Sequence, residues 1–198
     1  MARHAASTKE LVENAKWAVR TQGADVNVRS LMTGDTALHE AAGLGDATLV
    51  NALLDLGAKI DALNYSDKSA LHEAAAHGNT DAAKALLDRG APVNQGVDEH
   101  RSTPLHMASM GGHVDTATLL LDRGADVNAE SAGLAALHDA AAAGNSDMVS
   151  LLLKRGANAH AVATEERMTA EDFARAGGHA QLAEFIRGWR SDSPARGR

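Results

Sequence analysis

The chain has 198 residues, no cysteine, 3% aromatic residues and a formal net charge of −7 from 26 acidic and 19 basic side chains. Without cysteine there are no disulfides, thiolate metal sites or cysteine nucleophile, and the acidic balance disfavours nucleic acid, whose binding rests on neutralising phosphates with Lys and Arg. Met1–Ser7 lacks the apolar run of a secretory signal and no stretch reaches the ~18 apolar residues of a membrane span. The expected setting is therefore cytoplasmic, with the nucleus also possible.

In chain order, Ser7-Thr8-Lys9-Glu10 has the Ser-x-x-Glu form of a capping box, which predicts a helix over about 8–21 that stops at Gly23. Paired helices follow. The first of each pair is predicted over about 37–44, 70–77, 104–111 and 136–143. Pro104 suits a first helical position, where no intrahelical N–H bond is lost. The second of each pair is predicted over about 47–55, 81–88, 114–122 and 147–154, with apolar residues three and four apart, as in Leu49, Val50, Leu53 and Leu54. Glycines close the first helices (Gly45, Gly78, Gly112, Gly144) and the second (Gly57, Gly90, Gly124, Gly156), as expected for left-handed caps. Leu54, Leu87, Leu121 and Leu153 recur at one place and are expected to be buried between units.

Two marks set the period. Thr36-Ala37-Leu38-His39 reappears as Ser69-Ala70-Leu71-His72, Thr103-Pro104-Leu105-His106 and Ala135-Ala136-Leu137-His138, with histidine spacings of 33, 34 and 32. Gly23-Ala24-Asp25-Val26-Asn27 reappears as Gly57-Ala58-Lys59-Ile60-Asp61, Gly90-Ala91-Pro92-Val93-Asn94, Gly124-Ala125-Asp126-Val127-Asn128 and Gly156-Ala157-Asn158-Ala159-His160. Two marks in phase at this period define a repeat array. Thr-Pro-Leu-His at this spacing resembles the ankyrin repeat family, over about 7–189. The resemblance implies an all-α solenoid of stacked helix-turn-helix units with hairpin-like loops.

The expected organisation is one domain over 1–190 with a polar tail at 191–198, which is expected to be disordered. Residues 1–28 form a truncated N-terminal cap, about 29–61, 62–94, 95–128 and 129–160 are full repeats, and 161–190 form a C-terminal cap. The caps show in their polarity. Lys16 and Arg20 stand where Val50 and Leu54 stand in the next unit, Arg187 replaces a leucine, and Glu171-Asp172 replaces Leu-His. Terminal units need polar residues where inner units bury apolar ones.

The four histidines invite a metal reading, but equivalent places in successive helix pairs lie ~8–10 Å apart, too far for two imidazoles to share an ion at ~2.0–2.2 Å. The resemblance implies instead that each ring bridges its own repeat to the neighbouring loop. No metal or cofactor is expected. His39-Glu40 and His72-Glu73 are adjacent on a helix, so their side chains point apart. Neither a nucleophile elbow nor a phosphate loop is present, and no catalytic residue is assigned. Asn27, Asn94 and Asn128 follow valine in the loops. Such asparagines bond their own turn backbone, and in some ankyrin proteins they are hydroxylated.

Residues that packing does not need are left for contact with a partner. At the loop tips these are Met32, Asp35, Tyr65, Lys68, Glu99, Arg101 and Leu134. On the first helices they are Glu40, Leu44, Glu73, His77, Met107, Met110 and Asp139. In ankyrin proteins these places line the groove that holds partners. Here they mix acids with adaptable apolar side chains, so the partner is expected to be a basic or amphipathic protein segment bound by a monomer. Two alternatives stand beside this reading: an accessory subunit or an enzyme with a site in the caps, and a methyl-lysine reader. For the latter, Trp17, Tyr65, Phe173, Phe185 and Trp189 are too dispersed to form a cage.

Overall fold

The computed structural model describes residues 8–96, 102–164 and 167–189. Ser7 of the expected capping box and the 191–198 tail lie outside these. The chain divides into two compact units, Met1–Val93 and Asn94–Arg198.

The first unit holds α1 (Thr8–Gln22), α2 (Ala37–Leu44), α3 (Ala47–Asp55), α4 (Ala70–Ala76) and α5 (Thr80–Asp88). Helices α2 and α4 pack side by side, as do α1, α3 and α5 in a second row. Each inner helix is short, seven to nine residues, below the length at which an isolated helix persists. Packing against the neighbour is therefore what holds it. Alanines at Ala41, Ala42, Ala74 and Ala75 are fully buried and let the first-helix backbones approach closely.

Asn79 shows how successive pairs are stitched. Its side-chain amide donates to the carbonyls of Ala42 and Gly43 at 2.9 and 2.7 Å, satisfying the open end of α2. The same side chain lies over Gly45, whose φ of +79° reverses the chain. A Cβ there would sit 2.9 Å from the Asn79 side-chain oxygen, so glycine is required for both conformation and space.

The second unit holds α6 (Pro104–Gly111), α7 (Val114–Asp122), β1 (Glu130–Ser131), β2 (Leu134–Ala135), α8 (Ala136–Ala142), α9 (Ser146–Lys154), α10 (Ala170–Ala176) and α11 (Ala180–Gly188). Helices α6, α8 and α10 stack in one row, α7 and α9 in another, and α11 packs on α10. The antiparallel strands β1 and β2 pair Glu130 with Ala135 and Ser131 with Leu134. Ala132 and Gly133 both have positive φ, as a tight two-residue hairpin requires.

The leucine row corrects one expectation. Leu54, Leu87 and Leu121 are only half-buried, and Leu153 alone of that row is fully enclosed. The deeply buried row lies one residue earlier, at Leu53, Leu86, Leu120 and Leu152, and Ile186 continues it in α11. Consecutive helical residues point about 100° apart, so in α3, α5 and α7 the second of two adjacent leucines turns toward the edge of the core, whereas in α9 both Leu152 and Leu153 are covered. Arg20 and Arg187 therefore occupy the half-buried row, and both are exposed.

The asparagines correct another. Asn27 reaches forward a whole repeat: its amide donates to the Gly57 carbonyl at 3.3 Å and its oxygen accepts from the Lys59 N–H at 2.8 Å. Asn94 makes the same pair with Gly124 and Asp126, and Asn128 with Gly156 and Asn158. The local turn bond comes from other side chains, Asp25 to the Asn27 N–H and Asp126 to the Asn128 N–H.

Candidate partner-binding site

The recurring histidines are the frame of the site. His39 Nδ1 accepts from the Thr36 N–H at 3.1 Å and meets Thr36 Oγ1 at 2.9 Å, and His39 Nε2 contacts the Lys68 carbonyl of the next loop at 2.9 Å. A carbonyl only accepts, so Nε2 carries the proton and Nδ1 is bare. His106 repeats this with Thr103 and the Leu134 carbonyl at 3.1 Å, and His138 with the Ala135 N–H and the Ala161 carbonyl at 3.0 Å. Both nitrogens of these three rings are engaged, which leaves no lone pair for a metal. Burial pushes the His106 imidazole below its ordinary pKa. In α10, Asp172 takes the inward half of the role: it accepts from the Thr169 N–H and hydroxyl at 2.9 and 2.7 Å.

On that frame the first unit forms an open cleft of about 250 Å³, lined by Asp35, His39, Glu40, Gly43, Leu44, Glu73 and His77. Five residues expected from sequence meet here. Asp35 is half-buried; burial works against its ionisation, but hydrogen bonds from Thr33 and from Asn64, the latter at 2.7 Å, outweigh it and hold its carboxyl below the usual range. His77 Nδ1 bonds the Glu73 carbonyl at 2.9 Å and lies 3.9 Å from the Glu73 carboxylate. Leu44 is 75% exposed.

The loop tips behave differently from one another. Met32 is 90% exposed. Tyr65 is 60% exposed yet fixed, because its ring covers Gly34 so closely that a Cβ there would lie 2.5 Å from it. Its N–H also donates to the Thr33 carbonyl at 2.9 Å. Lys68 is half-buried and contributes its carbonyl to His39, and Leu134 contributes its own to His106. The bridge to the neighbouring loop that the resemblance implies thus ends on these two backbone carbonyls, in residues expected to offer their side chains to a partner. Gly34 was missed as well; the signal was a glycine followed one repeat later by the loop's aromatic.

In the second unit Met107 and Asp139 are half-buried and Met110 is exposed. Phe173, which the sequence reading did not place at a site, stands 34 residues after Asp139 at the same fourth helical position. Its ring meets His138 edge-on, centroids 5.6 Å apart. Glu99 and Arg101 lie outside the described residues. A second cleft, about 290 Å³, opens between α9 and α11 beside Ser146, Ser150, Gln181, Leu182 and Phe185 and carries no charged side chain. Among the described residues, no group of three or more His, Asp or Glu is placed to hold a metal ion, and no helix is long and apolar enough to cross a membrane.

Short helix pairs in register, joined by imidazole bridges and asparagine clasps to the next unit's loop, define a stacked helical repeat protein. The chain belongs to the ankyrin repeat family: the family model for ankyrin repeats (3 copies) matches residues 3–97 and 93–163. Ankyrin repeats are generally protein–protein interaction modules and are typically non-enzymatic. No curated protein matches this chain.

Proposed function

We propose that the chain is a non-enzymatic scaffold that binds a basic, partly apolar segment of a partner protein in the cleft of the Met1–Val93 unit. One observation carries this reading: Asp35, Glu40 and Glu73 converge with Leu44 on an open cleft of about 250 Å³. The carboxylates give orientation and association rate, while Leu44 and the fixed Tyr65 ring offer apolar contact. By comparison, the α9–α11 cleft lacks charge and gives a partner little to orient by.

The test is a display of peptides of matched length, from basic amphipathic to acidic amphipathic, against the full chain. The wild type is expected to select peptides that interleave Lys or Arg with apolar residues. Glu40→Lys with Glu73→Lys should lose them and show a weaker salt dependence for what remains. Lys84→Glu, on α5 and ion-paired to Asp88 at 2.6 Å, should leave binding alone. Selection of acidic peptides, or loss confined to Lys84→Glu, overturns the reading.

A further inference from the structure

Asp139 is the carboxylate of the second unit that the fold does not explain. It is half-buried on α8, and no side-chain or backbone donor reaches its carboxyl group among the described residues. Other half-buried carboxylates here are answered: Asp35 by Asn64 and Asp172 by Thr169. A carboxylate that loses part of its hydration without gaining a partner is costly, and for packing alone an alanine would serve.

The equivalent positions on the flanking helices are apolar. Met107 on α6 and Phe173 on α10 hold the same fourth position on the two helices that flank α8 in its row. The titratable groups of the packed elements are otherwise occupied. His106, the one such group on α6, is held between Thr103 and the Leu134 carbonyl, and His138 between Ala135 and the Ala161 carbonyl. On α10, Glu171 pairs with Arg175 at 2.6 Å and Asp172 bonds Thr169. Strand β2 has none, and Asp147 and Lys154 of α9 are exposed. Burial accordingly pushes the Asp139 carboxyl up to about 7.

We infer that Asp139, with Met107 and Phe173 to either side, is the seat for a single lysine or arginine side chain of a protein partner. The alkyl stem lies along the methionine and the ring, as such stems do on apolar surface, and the cationic head meets the carboxylate. Phe173 adds its ring face to the attraction, and Met107 adapts to the stem. A metal would need further ligands, and none converge; an anion would be repelled. The inference rests on the partner being basic, but the seat lies in the Asn94–Arg198 unit and is tested apart from the cleft.

The probe is n-butylguanidinium chloride, titrated into the full chain at constant ionic strength and followed by carboxyl-carbon and methyl NMR. n-Butylurea is the neutral control. Without probe, the Asp139 carboxyl is expected to titrate near neutrality. With n-butylguanidinium its titration should move to lower pH, with shifts at the Met107 methyl and the Phe173 ring. n-Butylurea should do neither. Asp139→Asn should abolish the Met107 and Phe173 shifts while the amide spectrum keeps its dispersion. Titration in the ordinary carboxylate range, equal shifts from n-butylurea, or shifts that persist in Asp139→Asn would overturn the seat. If only the Glu40 and Glu73 carboxyls respond, the seat falls and the cleft stands; if only Asp139 responds, the reverse holds.

Discussion

Replacing His106 by alanine separates the structural role of the imidazole ladder from any other. His106 is 1% exposed and serves the Thr103 N–H, the Thr103 hydroxyl and the Leu134 carbonyl. Its removal strands the buried Thr103 N–H and the part-buried Leu134 carbonyl, at about 1–3 kcal/mol each, and leaves a ring-sized void. A loss of about 3–5 kcal/mol at pH 7.5 follows, at the upper end for single substitutions. The loss should shrink in acid. Burial depresses the folded-state pKa below the ordinary 6.5, so below that pH the unfolded chain binds a proton that the folded chain refuses. Stability from this group is complete above the unfolded value and is lost as pH falls toward the folded one. At pH 5.0 the unfolded chain gains at most about 2 kcal/mol from this proton, a gain the alanine variant lacks. Urea denaturation of both proteins at the two pH values measures the difference. An equal penalty at pH 7.5 and 5.0, or a penalty below about 0.5 kcal/mol, refutes the neutral, doubly bonded imidazole.

Three further outcomes follow from packing. Ser109 is fully buried in α6 at the place held by Ala42, Ala75 and Ala141, and its hydroxyl has no partner among the described residues; Ser109→Ala should stabilise the fold by about 1–3 kcal/mol and so raise the urea midpoint, and an unchanged or lower midpoint counts against an unsatisfied hydroxyl. Leu86→Ala should cost about 2–5 kcal/mol and Leu87→Ala clearly less, because only Leu86 is fully enclosed; equal costs in the same denaturation assay would contradict the assigned core row. Arg20→Leu should leave the thermal melt unchanged but promote association with another copy, and a monodisperse monomer at high concentration in sedimentation would contradict the capping role of that arginine.

The helices were legible because their limits are written locally. The start of α6 at Pro104 and the end of α3 before Gly57 need no tertiary information, and observed limits fall within a residue of those read from sequence. Leu86 and Leu87 mark where that legibility stops. Both satisfy a helical apolar pattern, and only the neighbouring helix decides which one it encloses. Asn27 is a second instance: its residue type announces hydrogen bonding, but its partners at Gly57 and Lys59 lie a full repeat away. The candidate site divides the same way. Asp35, Glu40, Leu44, Glu73 and His77 meet in one cleft because repeat register carries equal positions to equal places. Lys68 and Leu134 were read as free side chains, yet their backbone carbonyls are held by histidines. Asp139 is one acid among several in the sequence; its isolation from every donor among the described residues is a property of the fold.

The imidazole bridges also have a direction. His39, His106 and His138 each take hold of their own helix start with one nitrogen and hand the other forward to the following loop. An inner repeat therefore both receives such a bond and offers one, so a copied repeat spliced in at an inner joint would bring its own donor and acceptor. Asp172 breaks that succession. Its carboxylate closes on Thr169 and, having no N–H, offers nothing forward. The run of forward bridges thus ends at this residue, and Asp172→His is the substitution that would supply an N–H to the loop of a further unit joined after residue 189.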